Sequence, residues 1–150
     1  MTTPTWDDYF LGLAKETSRK SRDPSTQVGA VITDAKNRIV SIGFNGLPRG
    51  IPDKRAYLHN RALKLKLILH AEMNALLFAQ RDLADCTIYT WPLPPCAHCT
   101  SAILQAGITR IVAPSPSPEH RERWGEDLAL SGQMVREAGI IRILKELPIG

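Results

Sequence analysis

The sequence has few cysteines and no long apolar run. Three cysteines in 150 residues are too few, and odd in number, for a disulfide framework. A reducing cytoplasm is the expected compartment. No apolar stretch approaches the ~20 residues that span a bilayer. Met1 to Phe10 is polar and carries Asp7 and Asp8, so it does not read as a signal peptide. No internal repeat is present, and Pro114-Ser115-Pro116-Ser117-Pro118, the most linker-like stretch, is too short to divide the chain. The remaining composition is that of a globular protein. Hydrophobic residues are 43% and charged residues 23%, with a net charge of +4, which argues against disorder. The length predicts one domain over residues 1–150. The basic balance permits a nucleic-acid or nucleotide partner without requiring one.

Trp6, Phe10, Leu13, Ala14 and Thr17 recur at helical spacing and predict an amphipathic helix over residues 6–19. Arg22-Asp23-Pro24-Ser25 breaks it. Val28 to Ile32 and Arg38 to Phe44 read as the strands of a hairpin, turned at Asp34 to Asn37. Asn45 to Gly50, with two glycines and a proline, reads as a structured loop. Lys54, Arg55, Arg61, Lys64 and Lys66 make residues 52–66 basic, and a solvated basic face is the expectation there. Predicted helices over 70–81, 96–105 and 124–137 then alternate with strands over 86–91, 110–113 and 140–144. That order puts helices on the faces of a shared sheet whose later strands are parallel.

Two segments carry chemistry: His70-Ala71-Glu72 and Pro95-Cys96-Ala97-His98-Cys99. Cys96 and Cys99, three apart at the start of a predicted helix, face one side. Free amides and partial positive charge there favour thiolates. His70 opens another predicted helix, and two helix N-termini can meet at one edge of a sheet. Two thiolates and an imidazole are three protein ligands for zinc, leaving the fourth position to water, as in catalytic sites. Glu72 is then the proton carrier, taking a proton from water and returning it to a ring nitrogen and a leaving amine. H-x-E followed by P-C-x-x-C is the signature of the zinc nucleobase deaminases. A capping or core role for His70, or a redox role for Cys96 and Cys99, accounts for one segment without the other. Cys86, in a predicted strand, reads as core.

The match runs further. Asp23-Pro24-Ser25-Thr26-Gln27-Val28-Gly29-Ala30-Val31, Gly43-Phe44-Asn45-Gly46-Leu47-Pro48-Arg49-Gly50 and His70-Ala71-Glu72-Met73-Asn74-Ala75 resemble the cytidine and deoxycytidylate deaminase superfamily, and most of all its deoxycytidylate branch. With Gln105-Ala106-Gly107-Ile108 and Arg123-Trp124-Gly125, the likeness covers roughly residues 6–145. It implies an α/β fold, a three-layer α/β/α sandwich with a five-stranded mixed sheet, forming one zinc-dependent deaminase domain. It also implies a homo-oligomer, from dimer to hexamer, and hydrolysis of dCMP to dUMP and ammonia. By the same resemblance His70, Cys96 and Cys99 bind Zn2+ and Glu72 is catalytic. Asn45 contacts the sugar or base, and the amide of Ala71 faces the pyrimidine carbonyl. Thr26, Val28 and Pro95 are further candidate substrate contacts. Trp91 either stacks on a base or packs in the core or an interface. Trp91-Pro92-Leu93-Pro94-Pro95 departs from the Thr-Leu-Ser-Pro type of many relatives. The short connection from Gly50 to His70 lacks the insert of T-even phage-type relatives, so a second, structural zinc is not expected.

A nucleotide needs cationic or amide contacts to its phosphate. Arg49, in the loop after Asn45, is the expected contact; Arg22, Arg55, Arg61, Lys64 and Lys66 are further candidates. His59 and His120 read as surface residues, and His98 as solvent-facing or substrate-touching. The expected partner is a small-molecule nucleotide, with nucleic acid and membrane disfavoured. The alternatives are a tRNA adenosine deaminase, a deaminase of another cytosine nucleoside or nucleotide, and a catalytically silent zinc-stabilised binding module.

Overall fold

The structure is a computed structural model that describes residues 2–149. Helix α1 (Trp6–Ser18) begins at Thr5, whose side chain accepts the Asp8 amide at 3.1 Å, a cap that satisfies one of the free amides of the first turn. It leads into β1 (Gly29–Thr33), buried along its whole length, and β2 (Ile39–Phe44). Two short helices follow, α2 (Arg55–Leu58) and α3 (Arg61–Leu67). Then come α4 (Ala71–Ala79), β3 (Thr87–Trp91), α5 (Ala97–Gln105), β4 (Arg110–Pro114), α6 (Pro118–Ala138) and β5 (Ile141–Lys145).

The five strands form one sheet in the order β2-β1-β3-β4-β5. β1 is antiparallel to both β2 and β3, and β3, β4 and β5 are parallel. The expected mixed sheet is therefore present, with its later strands parallel because α5 and α6 cross over between them. Alternation along the strands makes two cores. Val31, Tyr89 and Val112 pack with Phe10, Leu11 and Ala14 of α1. Ala30, Ile32, Ile88 and Ile111 face the other way, toward Ala71, Ala75, Ile103 and Val135 of α4, α5 and α6. The result is three layers, α1, sheet and the remaining core helices. Cys86 lies in the second core, as expected, and burial pushes its thiol up from the ordinary value.

Two stretches differ from the sequence reading. The basic segment is not a solvated face throughout: it folds into α2 and α3, the second capped by Asn60, which accepts the Leu63 amide at 3.1 Å, and it buries Lys64. The serine–proline stretch is no linker. Pro114 ends β4, Ser117 and His120 form a capping box, and Pro118 opens α6 six residues before the predicted helix start at Trp124. Proline suits a first helical turn, where its missing amide hydrogen has no partner to lose. The helix is kinked at Trp124 (φ −130°, ψ 19°). His120 is half-buried, its ring 5.6 Å from that of Trp124, and so is not the free surface residue expected. Among the described residues no helix is long and apolar enough to cross a membrane.

Candidate active site

The site forms where α4 and α5 begin. Gly43 on β2 lets α4 lie close against the sheet: a Cβ there would stand 2.5 Å from both the Ala71 carbonyl oxygen and the Ala75 nitrogen. The segment before α4 is anchored by a backbone pair, Gly46 N–H to the Leu69 carbonyl at 3.1 Å and Leu69 N–H to the Gly46 carbonyl at 2.8 Å. These two features deliver His70 to the N-cap of α4. Cys96 occupies the N-cap of α5, and Cys99 is the third residue of that helix. Both ligand-bearing turns thus begin a helix, as the spacing predicted.

His70 Nδ1 lies 3.6 Å from Cys96 Sγ and 3.3 Å from Cys99 Sγ. The three donor atoms all fall within 4.8 Å of one another, and they are the one such cluster among the described residues. Zinc bonds of ~2.3 Å to sulfur and ~2.0–2.1 Å to nitrogen in tetrahedral geometry separate donors by roughly 3.5–3.8 Å. The set therefore fits zinc in donor type and in spacing. Hydrogen bonds from Cys99, the stronger influence, and His70 pull the Cys96 thiol down to about 4, while Cys99 is pushed up, first by its bond to Cys96 and then by burial. A dication bound there favours both sulfurs as thiolates. The His70 imidazole is raised, chiefly by its contact with Cys96.

Glu72, in the first turn of α4, is only 4% exposed and lines the cavity beside these donors. Burial, the dominant influence, raises its carboxyl above the ordinary value. The cavity holds about 410 Å3. Thr26, Val28, Asn45 and Ala71 line it as expected, with Ile68, Leu93 and Pro94 adding apolar wall. A larger, more open cavity of about 610 Å3 lies at the opposite ends of β3, β4 and β5, beside Asp7 and Arg110. It contains none of the candidate metal donors, so the chemistry belongs to the smaller one.

Asn45 is 6% exposed and already engaged. Its Oδ1 accepts the Val28 amide at 2.9 Å, and its Nδ2 donates to the Thr26 carbonyl at 2.9 Å and to Asp23 Oδ2 at 3.4 Å. An amide offers two donor hydrogens and two acceptor lone pairs. Both hydrogens are used, so what Asn45 has left for a ligand is one acceptor position.

Several expected contacts are elsewhere. Arg49 is exposed and does not line the cavity. A turn closed by Ile51 N–H to the Pro48 carbonyl at 3.1 Å, with Gly50 at φ 89°, carries it away. Trp91 packs against the α1 core, with Lys15 Nζ 5.1 Å from its ring centre. Pro95 is buried but is not a lining residue. Arg22 pairs with Asp53 at 3.6 Å, and Arg55 and Lys66 are exposed away from the cavity. His59 and His98 are exposed. Of the basic candidates, Arg61 and Lys64 reach the lining, because α3 turns one face of the basic segment inward. Lys64 is committed there to Asp23 Oδ1 at 2.9 Å and Ser25 Oγ at 3.2 Å.

Arg123, Trp124 and Asp127 of α6 also line the cavity. Their residue types gave no separate signal; Arg123 and Trp124 entered the sequence reading only as part of a resemblance. The Arg123 guanidinium lies 4.6 Å from the Trp124 ring centre. Neither Arg61 nor Arg123 has a carboxylate partner among the described residues.

Residues 4–114 match the family described as the cytidine and deoxycytidylate deaminase zinc-binding region. The chain is 44% identical over 135 residues to a protein of Aliivibrio fischeri named "Uncharacterized deaminase in luxG 3'region", covering 90% of each. It is 37% identical over 113 residues to the deoxycytidylate deaminase of Mus musculus, covering 71% of this chain and 63% of that one. The apo crystal structure of dCMP deaminase from the cyanophage S-TIM5 shares the fold, with a TM-score of 0.72 over 97% of this chain and 100% of that chain at 19% identity. With its donor set and its three-layer fold, the chain belongs to the cytidine and deoxycytidylate deaminase family and takes zinc as its metal.

Proposed function

We propose that the protein deaminates a cytosine mononucleotide, converting dCMP and water to dUMP and ammonia. The observation that carries this reading is a buried carboxylate, Glu72, beside a His–Cys–Cys donor set, in a cavity whose lining also holds two guanidiniums without carboxylate partners among the described residues. His70, Cys96 and Cys99 hold the zinc. When bound, zinc brings water toward a neutral pKa and so supplies a nucleophile. Glu72 would carry the two protons that the attacking water gives up in turn, the first to the ring nitrogen and the second to the leaving amine. The C4–N bond breaks, a carbonyl forms at C4, and ammonia leaves. The Ala71 amide opens α4, where it has no intrahelical carbonyl to bind, and can donate to the pyrimidine carbonyl. Val28, Ile68, Leu93 and Pro94 exclude water around the base. The free acceptor position of Asn45 suits a sugar hydroxyl.

Arg61 and Arg123 favour a phosphate-bearing substrate over a nucleoside, since guanidinium–phosphate hydrogen bonds are charge-assisted. Arg61→Ala and Arg123→Ala are each expected to raise KM for dCMP by about tenfold or more and to leave deoxycytidine turnover nearly unchanged. The decisive assay is ammonia release by the zinc-loaded protein from dCMP, dCTP, deoxycytidine and cytosine. Absence of release from dCMP overturns the substrate, and release from a tRNA adenosine instead would place the protein in another branch. A homo-oligomer is expected: Ile39, Ile42 and Phe44 on the edge strand β2 leave large apolar side chains exposed. Sedimentation of the purified protein as a monomer would contradict it. A reducing compartment suits the cysteine pair, because its oxidation removes the metal ligands.

A further inference from the structure

Asp127 stands on α6, outside both ligand-bearing turns, yet its Oδ2 accepts the Ala97 amide at 3.0 Å. Ala97 is the first residue of α5 and lies between Cys96 and Cys99. An amide at that position has no partner inside its own helix. Within the same turn, the Cys99 amide is directed at Cys96 Sγ at 3.4 Å. The two-sulfur turn is therefore tied at one point by its own sulfur and at another by a carboxylate from a different helix. The second tie is the stronger kind, a charge-assisted bond to a carboxylate at a helix N-terminus.

Among the described residues Asp127 is not part of an ion-pair network. No basic side chain is paired with it, and its Oδ1 makes no hydrogen bond among the described residues. Among the described residues its one side-chain hydrogen bond is to the turn that carries the sulfurs, and its side chain lines the active cavity. The distances of 3.3 and 3.6 Å from His70 Nδ1 to the sulfurs depend on where α5 begins relative to α4. α4 packs on β2 and β1 and touches α5, while α5 packs chiefly against α6, so a tie from α6 bears on where α5 begins.

We infer that Asp127 is a positioning residue of the zinc centre: its carboxylate fixes the start of α5 so that Cys96 and Cys99 meet His70 at metal-binding distance. This inference rests on the zinc centre and is independent of the nucleotide acted on.

The test is zinc retention against a chromogenic chelator, measured on the full-length zinc-loaded protein beside thermal melting of the metal-free form. Asp127→Ala is expected to lose zinc 10–100-fold more readily, while its metal-free form melts close to the unsubstituted protein. Asp127→Asn keeps an oxygen that can accept the Ala97 amide, and is expected to recover most of the lost affinity. With dCMP, kcat falls for Asp127→Ala and KM changes little. Unaltered zinc retention in Asp127→Ala overturns the inference. So does an Asparagine variant as defective as the alanine one, since the hydrogen bond would then not be the agent. An alanine variant that fails to fold, or whose metal-free melting falls in step with its zinc affinity, also overturns it, by assigning the side chain to the fold. The zinc measurement involves no substrate, so its failure is distinct from a failure of the dCMP reading.

Discussion

In the proposed reaction Glu72 is the proton acceptor, and it is shielded from bulk water, where burial raises its carboxyl above the ordinary value. Glu72→Gln keeps its size and removes the base. Turnover is expected to fall about 10²–10⁴-fold with zinc retained, as measured by ammonia release and metal content on the same preparation. Activity close to the unsubstituted level would remove Glu72 from its role. Lys64 poses the opposite problem, a cation 4% exposed and bound to Asp23 at 2.9 Å. Lys64→Met leaves the Asp23 carboxylate buried without its partner, a loss of roughly 3–5 kcal/mol readable in urea denaturation. Asp23→Asn combined with Lys64→Met should recover part of it, because the stranded charge is then gone.

At the scale of elements, the catalytic geometry depends on how closely α4 approaches β2. Gly43→Ala would put a methyl group 2.5 Å from backbone atoms of Ala71 and Ala75, and backbone cannot swing aside as a long side chain can. The helix must move, carrying His70 and Glu72 with it. The expected outcome is a stability loss of about 1–3 kcal/mol together with weaker zinc retention. Normal zinc binding in this variant would show that α4 adjusts without disturbing its first turn. The elements themselves were legible where their signals are local. Helical spacing marked α1, apolar β-branched runs marked β1 and β4, and Gly139, at φ 73°, ends α6 where the sequence predicted a stop. The basic segment was misread because charge count says nothing about which residue of a helix faces inward. The early start of α6 was missed because a proline between serines reads as linker until the Ser117–His120 cap is seen.

Across the whole molecule, α1 is fastened to the sheet by a polar cluster. Arg110 of β4 binds both carboxylate oxygens of Asp7, at 2.8 and 2.6 Å, and the Tyr89 hydroxyl of β3 donates to Asp7 at 2.8 Å. Arg110 first, and Tyr89 with it, hold the Asp7 carboxyl below its ordinary value against the opposing effect of burial. A depressed carboxyl stabilises the fold above the unfolded-state value of about 3.9, and that contribution disappears as pH falls through the lower folded value. Asp7→Asn is therefore expected to melt roughly 2–6 °C lower near pH 7. The gap should begin to narrow below about pH 4 and close only beneath the lower folded value, as followed by circular dichroism across a pH series. A constant gap at every pH would mean that the charge contributes nothing. Zinc held by His70, Cys96 and Cys99 would act at the same scale, since these residues belong to the starts of α4 and α5. Chelation should lower the melting temperature and abolish turnover, and added zinc should restore both.

The amino-acid sequence by itself indicated the fold class, pointed to the three side chains that the fold brings together as a candidate zinc donor set, and singled out Glu72 as the proposed proton carrier. These rest on local relations: two cysteines three apart at a helix start, a histidine and a glutamate two apart at another, and strands alternating with helices. The tertiary structure alone decided which cations face the cavity, with Arg61 and Arg123 in place of Arg49. It decided that Lys64 is buried, that Asn45 has spent its donors, and that Asp127 reaches the cysteine turn. Each of these depends on two elements distant in the chain turning particular faces toward one another. That choice is made by packing the whole core, and no spacing within a single segment encodes it.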